Sequence, residues 1–112
     1  MKINTLFKRN KAVFSFEVFP PKKDSPIESV YGKLEEICAL KPDFISVTYG
    51  AGGSNSKKTV DIASYIQNTL QIPAIAHLTC VGSKRDDIQR EISALEGAGI
   101  SHVLALRGDR PR

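Results

Sequence analysis

The strongest constraint on the fold is the recurrence of short apolar runs about thirty residues apart, the size of a βαβ unit. Four such runs are typical of β-strands, at residues 13–19, 44–48, 74–79 and 102–106. All four are apolar almost throughout, which suits parallel strands covered on both faces. The sequence therefore predicts one domain over residues 1–112, with the order β-α-β-α-β-α-β.

Helical periodicity fills the three intervals between these runs. Apolar residues recur at helical spacing in residues 27–38, 59–70 and 88–95, so each interval predicts one helix with an apolar stripe. Gly97 or Gly99 is predicted to end the third helix.

Two helices also carry signals for their first turn. Ser25 and Glu28 are spaced as a capping box before the first helix, and Ser83 and Asp86 are spaced in the same way before the third. Both serines are therefore predicted to be N-caps.

Two architectures fit this α/β pattern. One is a doubly wound open sheet, which four strands would complete as a small domain. The other is a (β/α)₈ barrel, which typically takes about 250 residues, so 112 would be less than half of one.

Composition and charge exclude several classes of protein. No apolar run approaches the roughly 20 residues of a membrane span. The net charge of +4 is scattered along the chain, which does not favour nucleic-acid binding. The basic N-terminus lacks the apolar core of a secretory signal. Cys38 and Cys80 have no metal-type spacing and are interpreted as reduced thiols in the cytoplasm.

Polar residues stand at the carboxyl ends of all four predicted strands, where both architectures place their active sites. These residues, in chain order, are Glu17, Thr48 with Tyr49, His77, and Arg107 with Asp109. Their occurrence on four successive strands predicts a shared site.

Each of these residues, taken alone, also has a purely structural interpretation. Glu17 could be a buried structural partner of an arginine, and His77 could be a hydrogen-bonded core histidine. Thr48 is an ordinary strand former, and Asp109 could form a turn before Pro111 or pair with Arg107. His102 begins the fourth strand at the opposite end and is interpreted as structural.

The glycine-rich segment after the second strand does not match a nucleotide-binding fingerprint. Gly50, Gly52 and Gly53 follow the strand, but Asn55 stands where the dinucleotide motif requires its third glycine, and the Walker sequence is absent. What remains is a backbone that would let a flat or phosphorylated ligand approach closely. No cluster has metal-ligand spacing.

Four segments together resemble the methylenetetrahydrofolate reductase family: FSFEVFPP, VTYGAGGS, AHLTC and LALRGDRP. The resemblance implies that the chain is the N-terminal half, β1 to β4, of a (β/α)₈ TIM barrel. It also implies an FAD-dependent reduction of 5,10-methylenetetrahydrofolate to 5-methyltetrahydrofolate with NADH or NADPH, in one-carbon and methionine metabolism. The full-length parent would be a homo-oligomer that acts on a small folate substrate.

The resemblance also implies roles for individual residues. Glu17 matches the general acid that helps to open the bridging methylene of the folate. Asp109 matches an aspartate near the flavin that also holds the folate, and Thr48 matches a position that contacts nicotinamide or flavin. The remaining matches to FAD-binding positions are Tyr49, Ala51, His77, Arg107 and Gly108.

The chain departs from the family pattern after the fourth strand. A half-barrel has two open sheet edges and an uncovered inner face. Alone, it is expected to be poorly stable, to associate, to hold FAD weakly or not at all, and to be inactive. The alternative is a protein that is not an enzyme, either a self-associating half-barrel or a module completed by a partner.

Overall fold

The chain forms one parallel sheet with its helices packed on one side, in a computed structural model that describes residues 3–8, 11–21, 25–49 and 56–108. Its elements are a 3₁₀ helix (Ile3–Lys8), β1 (Ser15–Val18), α1 (Glu28–Cys38), β2 (Phe44–Val47), α2 (Ser56–Ser64) with a π-helical turn (Tyr65–Thr69), β3 (Ala74–Thr79), α3 (Arg85–Gly97) and β4 (His102–Leu106). The predicted alternation of strands and helices is confirmed. β3 and β4 have the predicted bounds, whereas β1 and β2 are shorter than predicted.

The strand order distinguishes the two architectures that the sequence left open. The four strands are all parallel and lie in the order β1-β2-β3-β4, so that each strand pairs with the next one in the chain. A doubly wound sheet reverses its strand order at a switch point, and this sheet does not. Crossovers of one hand that always step in one direction place every helix on the same face. The fold is therefore consistent with half of a (β/α) barrel.

The core lies between that face of the sheet and the three helices. It is formed by fully or almost fully buried side chains: Leu34, Ile45, Val47, Ile62, Ala63, Ile66, Ala74, Ala76, Leu95 and Ile100. Burial of each large aliphatic side chain contributes about 1.5–3 kcal/mol. The predicted apolar stripe of α2 is confirmed, since Thr59, Ile62, Ala63 and Ile66 are all buried.

The opposite face of the sheet is open in the described residues, which agrees with the uncovered inner face expected of a half-barrel and contradicts strands covered on both faces. In β1, Ser15 and Glu17 are exposed and alternate with half-buried Phe16 and Val18. The physical reason is that all three helices share the other face. We call this open face, which carries Glu17, Ser46 and His77, the inner face.

The 3₁₀ helix, which the sequence pattern did not predict, packs at the amino ends of the strands. Ile3 and Leu6 are buried, and the Phe7 ring lies edge-on to Phe44 with centroids 6.2 Å apart. The Ile3 backbone N–H donates to His102 Nε2 over 3.2 Å. His102 therefore has the structural role that was expected of it.

The predicted cap of α1 is wrong. Its N-cap is Ile27, which has helical dihedral angles and no side-chain cap, so Ser25 does not cap this helix. The chain enters the helix through a turn instead, in which the Ser29 N–H donates to the Pro26 carbonyl oxygen over 3.3 Å.

The predicted start of α3 is wrong by one residue. Lys84, rather than Ser83, takes the extended N-cap conformation, and its N–H donates to Asp87 Oδ2 over 2.9 Å. The predicted end is confirmed: Gly99 has a φ of +79°, and the Ile100 N–H reaches back to the Leu95 carbonyl oxygen over 2.9 Å. This is the Schellman geometry that favours glycine.

The π-helical turn fastens the end of α2 to the end of α3. Asn68 Nδ2 donates to the Ala98 carbonyl oxygen over 2.8 Å and to Ser64 Oγ over 3.1 Å. Gln67 donates to the Gly99 carbonyl oxygen. The contact between α2 and α3 is therefore held by hydrogen bonds from side-chain amides as well as by apolar packing.

Candidate active site

The candidate site is a row of polar side chains on the inner face. Glu17 on β1 is in register with Ser46 on β2, which is in turn in register with Ile75 on β3. Side chains two residues apart on a strand share a face, so His77 lies on the same face as Ile75, one step nearer the carboxyl end. The fold thus brings three polar residues from three strands onto one surface.

Glu17 and His77 meet across the intervening strand. Glu17 Oε1 lies 3.6 Å from His77 Nε2, and Ser46 Oγ donates to the same Oε1 over 3.4 Å. Next-but-one strands are about 9–10 Å apart, so the two longer side chains must lean toward each other over β2. The small side chain of Ser46 leaves room for them to do so.

The surroundings of the pair are asymmetric. The Glu17 side chain is 51% exposed, whereas the His77 side chain is only 11% exposed. Both line a cleft of about 430 Å³ whose other walls are formed by Phe44, Ser46, Ile75, Ser101, His102, Val103 and Leu104. The apolar residues around Glu17 predict a buried strand, in which its carboxyl group would be paired, solvated by a cleft or protonated. In the structure the side chain is half-exposed in a cleft and lies against the His77 imidazole.

Thr48 and Tyr49 follow β2 at its carboxyl end. The Thr48 N–H donates to the Val18 carbonyl oxygen over 3.0 Å, and the Thr48 carbonyl oxygen accepts from Thr59 Oγ1 over 3.0 Å. Thr59 is 1% exposed, so its hydroxyl is a buried clamp between β2 and α2. Tyr49 is half-buried directly after the clamped residue.

Arg107 and Gly108 continue β4 beside the end of β3. The Val81 N–H donates to the Arg107 carbonyl oxygen over 2.7 Å, which extends the pairing of the two strands. Gly108 has a φ of +91°, and a Cβ at this position would meet Thr79 Cγ2 at 2.4 Å. Glycine is therefore required here by the protein's own packing, whatever ligand the site takes. Arg107 is exposed.

The structure brings two of the predicted site residues into contact and places four others at the carboxyl ends of strands. Glu17 and His77 are in contact, and Thr48, Tyr49, Arg107 and Gly108 lie at the carboxyl ends of β2 and β4. Ala51 and Asp109 lie outside the described residues, so their predicted roles stay predictions.

Two residues with a place in the site were missed by sequence reasoning. Ser46 bridges toward Glu17, and Thr59 fixes the Thr48 carbonyl. The signal for Ser46 was available: Phe44, Ser46 and Thr48 alternate with buried Ile45 and Val47, so they form one face of a strand. Thr59 has no such signal, because its apolar neighbours made it part of the helical stripe.

Groups with a raised pKa lie on the helix side. Burial, followed by the charge of Asp61, raises the pKa of Tyr31, whose ring stacks on Tyr65 with centroids 4.1 Å apart. Burial and the nearby Glu35 carboxylate raise the pKa of the Cys38 thiol, and neither Cys38 nor Cys80 forms a disulfide.

The described part of the chain contains neither a metal-ligand cluster nor a membrane-spanning helix. Across residues 3–8, 11–21, 25–49 and 56–108, no three metal-ligating side chains come together. Within the same residues, no helix has the length and apolar character needed to span a membrane.

Comparison with known proteins gives a consistent match over the whole chain. The family model for methylenetetrahydrofolate reductase matches residues 2–112. The chain is 36% identical over 110 residues to methylenetetrahydrofolate reductase (NADH) 1 of Arabidopsis thaliana, covering 98% of this chain and 19% of the relative. It is 35% identical over 97 residues to the 5,10-methylenetetrahydrofolate reductase of Escherichia coli, covering 87% of this chain and 33% of the relative. The chain thus spans a fifth to a third of these relatives.

Proposed function

This chain belongs to the methylenetetrahydrofolate reductase family, and we propose that it supplies the general acid and part of the cofactor site of the active site. The reaction would be the reduction of 5,10-methylenetetrahydrofolate to 5-methyltetrahydrofolate. The observation that carries the proposal is the Glu17 carboxyl on the inner face, held against Ser46 and His77 near the carboxyl ends of the strands. In a parallel α/β barrel this is the end where catalytic groups gather.

Glu17 is proposed to act as the general acid. Opening the bridging methylene breaks a carbon–nitrogen bond, and the leaving amine nitrogen must take a proton as the iminium at N5 forms. A carboxyl group that reaches into a cleft can deliver that proton to a bound ligand. Since half of the Glu17 side chain is accessible, a ligand can reach it without any movement of the sheet.

The described residues fit a flavin at this edge by the chemistry of their donors. The Thr48 hydroxyl and the Arg107 guanidinium can donate hydrogen bonds to ring carbonyls and phosphates, and the His77 imidazole offers one donor or acceptor nitrogen besides the one that faces Glu17. A flavin held by these residues would supply hydride transfer between NADH or NADPH and the folate. Tyr49, Ala51, Gly108 and Asp109 complete the proposed cofactor set, and Asp109 also binds the folate.

The complete activity is proposed for a full barrel, in the cytoplasm and within one-carbon and methionine metabolism. In the structure, β1 and β4 each pair on one side only. Val103, Leu104 and Leu106 of β4 are more than a third exposed. Further βα units placed at β4 would cover these side chains, and assembly into a homo-oligomer is proposed for the full-length protein.

A chimera tests this proposal directly. Residues 2–112 would replace the matched segment of the bacterial relative, and FAD content and folate reduction would be measured in the purified product. We expect a folded, yellow protein that reduces the folate, whereas the 112-residue chain alone should lose FAD on gel filtration. A folded chimera that binds FAD but does not reduce the folate would contradict the proposal.

The exposed strand β4 favours a second candidate function, that of a half-barrel that acts by association rather than catalysis. A defined dimer that unfolds cooperatively in sedimentation and denaturation experiments, together with a chimera that has no folate activity, would favour this candidate over the reductase.

A further inference from the structure

We propose that His77 is a positioning residue for Glu17, in addition to any contact it makes with cofactor. The inference rests on the proposed function, in which Glu17 is the acid. With Ser46, His77 would hold Oε1 of the carboxyl and leave Oε2 as the oxygen that meets a ligand in the cleft. The resemblance to the family assigned His77 to the cofactor and gave Ser46 no role.

The contrast in burial explains why His77 can direct Glu17. The His77 side chain is 11% exposed and packed within the central strands, whereas Glu17 is 51% exposed on the edge strand. An exposed glutamate samples several rotamers, and holding one of them costs side-chain entropy. Two contacts to the same oxygen, at 3.4 Å and 3.6 Å, select the rotamer that leans over β2.

The same geometry suits the state that follows proton donation. After the proton has left, the Glu17 carboxylate can accept hydrogen bonds only. The Ser46 hydroxyl already donates to Oε1, and an Nε2–H tautomer of His77 would be a second donor facing the same atom. Hydrogen bonds to an ionised carboxylate are stronger than those between neutral groups, so this pair stabilises the product of the acid's own step.

The first test uses the 112-residue chain and needs neither cofactor nor activity. The protein contains two histidines, His77 and His102, so ring-nitrogen resonances in long-range ¹H–¹⁵N spectra can be assigned by substituting each one. We expect Glu17→Gln to move the His77 Nε2 resonance while that of His102, which accepts from the Ile3 N–H, stays in place. Unchanged His77 resonances in a folded Glu17→Gln variant would overturn the proposal.

The second test separates positioning from cofactor binding. In the chimera, His77→Gln should lower folate reduction about 10- to 100-fold, the loss expected when a catalytic group is displaced by about 1 Å. Because His77 also belongs to the proposed cofactor set, both activities are expressed per bound FAD, and folate reduction should fall at least about tenfold more than NAD(P)H oxidation with a quinone acceptor. Equal losses of both activities would show that His77 acts on the cofactor alone, and would overturn the positioning role.

A double variant completes the design. If His77 acts through Glu17, adding His77→Gln to Glu17→Gln should cause no further loss of folate reduction, because groups that act as a unit are not additive. Multiplicative losses would contradict the proposal. Full folate turnover in Glu17→Gln would instead contradict the acid role of Glu17, without affecting the resonance test of the Glu17–His77 contact. Failure of the proposed function and failure of this inference are therefore distinguishable.

Discussion

Gly108 and Thr79 lie so close together that a single added methyl group would collide: a Cβ on Gly108 would be 2.4 Å from Thr79 Cγ2 and 2.7 Å from Val81 Cγ1. The contact joins the ends of β3 and β4, where the backbone pairing continues past both strands. The φ of +91° at Gly108 adds a second reason for glycine, because side chains with a Cβ rarely take this conformation.

Gly108→Ala should therefore destabilise the fold by about 1–3 kcal/mol, the usual cost of a strained backbone conformation, with the collision adding to it. Urea denaturation midpoints measure the effect. Gly32→Ala is the matched control, since a Cβ there meets nothing within 4 Å and Gly32 lies inside α1. The control should be stabilising by about 0.5–1 kcal/mol. Equal midpoints for the two variants would contradict this account.

Asn68→Ala should weaken the attachment of α2 to α3. It removes donors to the Ala98 carbonyl oxygen and to Ser64 Oγ. Since a typical intramolecular hydrogen bond contributes about 0.5–1.5 kcal/mol, we expect a loss of about 1 kcal/mol in the free energy of unfolding. Thr69→Ala, at the exposed neighbouring position, should change it less. A larger effect at Thr69 would show that the turn is not held through Asn68.

Acid should weaken the cap at the start of α3 and so lower the stability of the fold. The pKa of Asp87 is held below its ordinary 3.8, chiefly because its carboxylate accepts the Lys84 backbone N–H, with Arg90 nearby. The pKa of Asp87 is lower in the folded than in the unfolded chain, so the carboxylate stabilises the fold at pH values above the unfolded pKa. This contribution is lost as the pH falls through the folded pKa.

The matching experiment compares the parent with Asp87→Ala over a pH series. The variant should be less stable than the parent at pH 7, and the difference should shrink as pH falls below about 3.8. Gln89→Ala, an exposed site on the same helix without a titrating group, should differ from the parent by an amount that does not follow pH. A difference for Asp87→Ala that stays constant with pH would count against the capping role.

The exposed β4 should make the chain associate. Leu104 is 46% exposed on the inner face, and Val103 is 43% exposed on the other face. Leu104→Lys should shift sedimentation toward the monomer, because a charge on this face costs free energy when it is buried in an interface. Leu40→Lys, at a site that is also exposed but follows α1, should leave the association unchanged. The same shift in both variants would point to a general charge effect.

Much of this fold could be predicted because local pattern and tertiary role agree. Ala74 to Thr79 and His102 to Leu106 are strands that the apolar runs delimit correctly, and Gly99 ends α3 as its position indicated. The apolar runs alone did not predict the number of covered faces, because an apolar strand can have helices on one side or on both. The uncovered inner face was expected only from the resemblance to half of a barrel.

The candidate site was predictable in its strand positions but not in its contacts. The sequence indicated that Glu17 and His77 belong to one edge of one sheet. Their meeting depends on the size of the residue between them, and Ser46 was not recognised because a single serine in an apolar strand is common. The 3₁₀ helix was not predicted for a related reason. The hydrogen bond from the Ile3 N–H to His102 Nε2 joins residues 99 positions apart, and a local sequence pattern does not indicate such a contact.

The central claim, that Glu17 is the acid of a folate reductase site, is tested most directly by Glu17→Gln in the chimera. Folate reduction and NAD(P)H oxidation with a quinone acceptor would be measured on the same FAD-loaded sample, with Glu36→Gln on the exposed side of α1 as the control. General acid catalysis typically contributes about 10²–10⁴-fold, so folate reduction should fall by that order while the quinone reaction and the control persist. Undiminished folate reduction by Glu17→Gln would contradict the claim.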